Sequence, residues 1–148
     1  MIFLLFFFLC SSILCNGLQR TGVKRTLSTG TWTIFAPTNE AFLKLPPADV
    51  EILSNDLVAL TDLIIFHLVA QEKLYKDDLP CEAGNNLITM ANGKDSRTLC
   101  ENFIPTYQKG KHNPDSDLPV FVSFDTVACN GVVHGLDSMM FYSPISEL

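Results

Sequence analysis

Apolar residues recur at helical spacing in the first half of this chain and at strand spacing in the second. Leu57, Leu60, Ile64 and Leu68 fall three or four residues apart, with Leu63 and His67 beside them. That spacing predicts a buried helix ending near Phe66. Beyond residue 86 the period shortens. Leu87–Met90, Ser96–Phe103, Val120–Phe124 and Val132–Asp137 read as strands, because they are rich in β-branched and aromatic residues. Ala91-Asn92-Gly93-Lys94 and Cys129-Asn130-Gly131 read as tight turns. A two-residue type I′ turn at Asn130-Gly131 would place both residues at positive φ. Helices first and antiparallel strands later predict an α+β domain.

The first half supplies its own punctuation. Residues 17–29 suggest short helical turns broken at Gly22. Thr31–Phe35 is a strand, stopped by Ala36-Pro37. Thr38 can cap a helix over Asn39–Leu45, with Glu40 in its first turn. Pro46 ends that helix and Pro47 can open another, Ala48–Leu53. Glu72–Leu79 reads as a short amphipathic helix stopped by Pro80. Pro105, Gly110, Pro114 and Pro119 mark 105–119 as an exposed loop. A chain of 148 residues is the size of one domain.

Ile2–Cys10 is an unbroken apolar run with no charge before Arg20. It is shorter than the roughly 20 residues of a spanning helix and fits the apolar region of a secretory leader. The expected division is a signal peptide over 1–12 and one domain over 13–148. A buried N-terminal helix or a mis-assigned start is the alternative. Ten Lys+Arg against sixteen Asp+Glu give a net charge of −6. That balance opposes nucleic-acid binding and adsorption to anionic lipid, both of which need a basic footprint. No other segment reads as a stable membrane span. With Cys10 and Cys15 counted beside the leader, Cys81, Cys100 and Cys129 remain. Cys81 and Cys100 bracket the Leu87–Met90 strand and its return and are the expected disulfide, leaving Cys129 free. Pairing of Cys100 with Cys129 is the rival.

Candidate chemistry is sparse. Cys129, His134 and Asp137 have the residue types of nucleophile, base and orienter, but they crowd one hairpin, and nothing there lowers a thiol pKa. His67, His112 and His134 lack ligand spacing, so neither a metal nor a cofactor is expected. The bland reading of His67, a hydrogen-bonded core histidine, is preferred.

Two segments carry a resemblance. Thr33-Ile34-Phe35-Ala36-Pro37-Thr38-Asn39-Glu40-Ala41-Phe42 resembles the first signature of the fasciclin (FAS1) family. Ala128-Cys129-Asn130-Gly131-Val132-Val133-His134-Gly135-Leu136-Asp137 resembles the second. Between them, Phe66-His67 stands where the family has a Tyr-His pair implicated in adhesion, here without the phenolic hydroxyl. The resemblance implies a wedge of β-sandwich-like sheets with helices packed on one side, its first helix truncated here, with Ser12–Gln19 as the tail. It also implies a secreted, non-enzymatic adhesion or matrix-interaction module, binding an extracellular or cell-surface protein or polysaccharide. A small secreted ligand-binding domain or enzyme is the alternative.

Overall fold

The structure, a computed structural model, describes residues 12–128 and 130–148. The leader run therefore lies outside the described residues, as does Cys129. Ser12 already belongs to helix α1 (Ser12–Arg20), which buries Leu14, Gly17 and Leu18. Gly22, at φ 74°, breaks the helix before α2 (Val23–Thr26). Strand β1 (Trp32–Pro37) follows. Thr38 caps α3 (Asn39–Leu43), its side chain accepting from the Ala41 amide. Pro47 opens α4 (Pro47–Asn55). The Asp56 carboxylate accepts from the Val58 and Ala59 amides at 2.9 and 3.1 Å, so α5 (Leu57–Ile65) starts with two of its free donors satisfied. Its buried face is Ala59, Leu60, Leu63 and Ile64.

The strands form two sheets. The first has the order β2 (Leu68–Ala70), β1, β7 (Gly131–Leu136), β6 (Phe121–Ala128); the second is β3 (Leu87–Thr89), β4 (Asp95–Glu101), β5 (Ile104–Gly110). β1 and β7 run parallel at the centre of the larger sheet, and the other pairings are antiparallel. Parallel central strands are covered on both faces, and all six residues of β7 are buried. On one face Ile34, Ala36 and Val133 join Leu14, Leu18, Leu60 and Leu63 of the helices. On the other, Phe35 and Leu136 join Ile88, Met90 and Phe121 between the sheets. The result is an α+β wedge with helices on one side of a two-sheet sandwich.

Several sequence expectations are corrected. Glu72–Leu79 is not a helix. Only Lys76–Asp78 makes a 3-10 turn, because Thr33 Oγ1 donates to the Glu72 carbonyl and accepts from the Leu74 amide, both at 2.8 Å, and holds the chain extended against β1. The 105–119 stretch is not all loop, since β5 occupies its first third. Pro105 is tolerated at a register shift, where the Thr106 hydroxyl accepts the Glu101 amide at 3.2 Å. The return strand stops at Glu101 rather than Phe103, and β6 continues past Asp125, whose φ of 56° makes a bulge, to Ala128. Gly131 is not at positive φ, so the type I′ turn is wrong. It is glycine because an added Cβ would sit 2.4 Å from the Trp32 carbonyl oxygen. Cys15, counted with the leader, lies in α1 and is disulfide-bonded. Cys81 and Cys100 form a disulfide with Cα atoms 5.6 Å apart.

Candidate functional site

Phe66 and His67 lie where α5 gives way to β2. The helix ends because β1 recruits the backbone: the Phe35 amide donates to the His67 carbonyl at 2.9 Å. Both side chains are interior, Phe66 at 0% and His67 at 1% exposure. The Met140 amide donates to His67 Nε2 at 2.9 Å, which puts the ring proton on Nδ1, facing the Leu63 carbonyl at 2.8 Å. Burial pushes the His67 pKa down to about 4, opposed by the Leu63 carbonyl. The Phe66 ring meets Tyr142 edge-on with centroids 4.9 Å apart, and the Tyr142 hydroxyl donates to the Asp62 carboxylate.

His134 carries the opposite tautomer. Its Nδ1 accepts from the Asp125 amide at 3.2 Å, and its Nε2 donates to the Leu74 carbonyl at 2.7 Å. The imidazole, enclosed by Phe35, Phe121 and Phe124, straps the extended 72–75 segment to the large sheet. Its pKa is lowered by burial, with the Leu74 bond and the Asp125 charge opposing.

Of the Cys129–His134–Asp137 constellation, Cys129 lies outside the described residues. Asp137 accepts the Val120 amide at 2.8 Å and lies 3.7 Å from the Lys44 ammonium, so its carboxylate is engaged away from the imidazole. Among the described residues, no group of three or more His, Cys, Asp or Glu side chains is placed to hold a metal ion. His112 is exposed on the loop after β5.

The signature residues hold backbone together. Asn130 donates from its amide nitrogen to the Leu27 carbonyl at 2.7 Å and the Gly30 carbonyl at 3.2 Å, and the Trp32 amide donates to the Asn130 carbonyl at 3.0 Å. One side chain thus joins the end of α2 to the start of β1. Asn39 accepts the Ile13 amide and donates to the Ser12 hydroxyl, both at 3.2 Å, tying down the start of α1. Thr33, Ile34, Phe35, Ala36, Pro37, Ala41, Val133 and Leu136 are buried, and Thr38 and Phe42 are half-buried.

The large apolar side chain with the greatest exposure among the described residues lies on the smaller sheet, and the sequence reading missed it. Asn102 and Phe103 form the β4–β5 turn at φ 51° and 63°. Positive φ is costly for a bulky residue without glycine's freedom. Phe103 is 89% exposed with Ile104 beside it. The Cys81–Cys100 disulfide ties the hairpin down one residue before Glu101. The available signal was an Asn-x turn between two apolar strands, and phenylalanine in the glycine position concealed it.

A model of the Fasciclin domain matches residues 11–142. The chain belongs to the fasciclin domain family. Immunogenic protein MPB70 of Mycobacterium bovis is 44% identical over 45 residues, 30% of this chain and 23% of that protein. Cell surface glycolipoprotein MPB83 of the same species shows the same identity and span, 20% of its own length. Transforming growth factor-beta-induced protein ig-h3 of Oryctolagus cuniculus is 31% identical over 130 residues, 87% of this chain and 17% of that protein. The chain thus spans less than a quarter of the length of these curated relatives. A FAS1 domain pair from the insect cell adhesion molecule Fasciclin I superposes with a TM-score of 0.63 at 17% identity, over 86% of this chain and 43% of that one, and shares the fold. In this fasciclin domain the two signatures become neighbours. Thr33 to Pro37 pair in parallel with Val132 to Leu136, Phe35 directly beside His134.

Proposed function

We propose that this fasciclin domain is an extracellular adhesion or matrix-interaction module that acts by binding rather than by catalysis. The observation that carries this reading is the disulfide-braced hairpin tip, where Phe103 is fully presented on backbone that disfavours it. Strain at an exposed aromatic is tolerated where a contact gains from it. The disulfides suit an oxidising compartment. Cell-surface and cell-adhesion relatives support the same setting. Among the described residues, no helix is long and apolar enough to cross a membrane. Export is proposed to use the Ile2–Cys10 run, and a reporter fused after residue 30 should reach the medium or the cell surface. Reporter held in the cytosol would refute that part. Phe66 and His67 contribute to adhesion from the interior, by holding β2 and the Met140 backbone in place. Cells settled on a surface coated with the purified chain should adhere, and Phe103→Gly should weaken that adhesion while the fold persists. Equal adhesion by both proteins would remove the tip from the account. No adhesion by the native chain, with turnover in a hydrolase screen, would overturn the reading itself.

A further inference from the structure

The smaller sheet turns one face inward and one outward. On the inner face Thr98 donates to the Gln108 amide oxygen and the Gln108 amide nitrogen to the Ser96 hydroxyl, both at 2.7 Å. The alternation leaves Arg97 and Lys109 on the outer face, directly opposite each other across β4 and β5. Like charges in that relation weaken an antiparallel pair. Lys94, from the β3–β4 turn, and Lys111, just past β5, line the same concavity of about 670 Å3. Four of the ten Lys and Arg of the chain therefore converge on one face of a protein whose net charge is −6.

The two carboxylates in the concavity, Asp95 and Asp115, offset only half of this charge. Asp115 is taken by Lys109 at 2.7 Å. Asp95 accepts from the Thr89 hydroxyl at 2.9 Å. Lys94, Arg97 and Lys111 enter no ion pair among the described residues. Lys94 stands 5.7 Å from the centre of the Tyr142 ring, and Arg97 donates to the neutral Asn86 amide oxygen at 3.2 Å. In a chain with carboxylates in excess, three cations outside any ion pair on one concave face mark a surface with an anionic partner. Leu87, Leu99 and Tyr142 supply apolar wall between the charges.

We propose that this face binds an anionic polysaccharide. Lys94, Arg97 and Lys111 engage its carboxylate or sulfate groups, and Leu87, Leu99 and Tyr142 meet the apolar faces of its sugar rings. At physiological salt the Debye length is about 8 Å, so the patch acts locally despite the acidic remainder. A nucleic acid, with a charge every 1.7 Å or so along the duplex, would carry many phosphates over acidic surface. A polysaccharide spaces its charges by whole rings, so a few cations on one concave face can engage it without covering the acidic remainder. The inference rests on the proposed extracellular binding role and names the partner class for it.

The test measures binding of the full chain to dextran sulfate and to polygalacturonate, with unmodified dextran and double-stranded DNA as controls. Binding to one or both charged polysaccharides is expected, weakening with salt, and none to dextran. Arg97→Gln with Lys111→Gln should lower affinity at least about tenfold. Arg25→Gln with Lys73→Gln, equal in charge but elsewhere, should change it less than about twofold. Thermal unfolding should show the Arg97→Gln protein at least as stable as the native chain, because a like-charge pair is relieved. Equal losses in the two double variants, equal binding to DNA, or no binding to either charged polysaccharide would overturn the proposal. Cell adhesion without polysaccharide binding would reject this partner class and leave the adhesive role standing. Polysaccharide binding without cell adhesion would do the reverse.

Discussion

His67 and His134 show how a residue that invites a functional story can be spent on the fold. Each ring uses one nitrogen to donate and the other to accept, and so each must stay neutral. For His67 the unfolded chain takes up a proton near pH 6.5 and the native one near 4. Between those values the unfolded state binds more protons, so stability is complete above about pH 6.5 and falls as the pH drops toward 4. The shift corresponds to about 3 kcal/mol from this group, and the lowered His134 pKa acts in the same direction. Chemical denaturation at pH 7.5 and 4.5 should show that loss, and His67→Gln should flatten the dependence. Equal stability at both pH values would contradict buried neutral rings. At the second signature, Asn130→Ala should cost about 1–3 kcal/mol by stranding the Leu27 and Gly30 carbonyls. Gly131→Val should cost at least as much, because the Trp32 carbonyl occupies the space of its Cβ. Denaturant midpoints of the two variants test both, and a Gly131→Val protein of native stability would show that β1 and β7 can separate freely.

The hairpin β4–β5 concentrates the element-scale predictions. Phe103→Gly removes a left-handed phenylalanine, and it should raise stability by up to about 1 kcal/mol in thermal unfolding. A lower midpoint would mean that the exposed ring packs more than its exposure allows. Replacing Cys81 and Cys100 with serine should cost about 3 kcal/mol, the chain-entropy value for a closed loop of this length. Unchanged stability would mean that the bracketed segment is already ordered when unfolded. The same hairpin marks where the sequence stopped being readable. Helices α3, α4 and α5 were legible because Thr38, Pro47 and an apolar stripe act within a few residues. β5 was not, since Pro105 and Gly110 speak locally for a loop while the pairing to β4 and the interior Gln108–Ser96 contact are tertiary. The 72–75 segment failed for the same reason, its conformation being set by Thr33 about forty residues away. The signatures were legible as segments, but their parallel pairing was not. No local feature of Asn130-Gly131 announces a contact with Trp32.

Across the whole molecule, labour is divided between the interior and one exposed sheet. The central β1–β7 pair, the two histidines and Asn130 hold helices, strands and connecting segments to one frame. Among the described residues, no buried side-chain polar atom lacks a partner. The exposed sheet carries an apolar tip at one end of its hairpin and unpaired cations toward the other. Damage to the frame should reach function through folding, and damage to the sheet should reach it directly. The measurement that separates these is the joint determination of thermal stability and cell adhesion for His67→Ala and Phe103→Gly. His67→Ala is expected to lose about 1–3 kcal/mol, with adhesion falling only as far as the folded fraction does. Phe103→Gly is expected to be at least as stable as the native chain and to adhere less. A His67→Ala protein of native stability that no longer adheres, beside a Phe103→Gly protein that adheres normally, would place the contact at His67 and contradict the account.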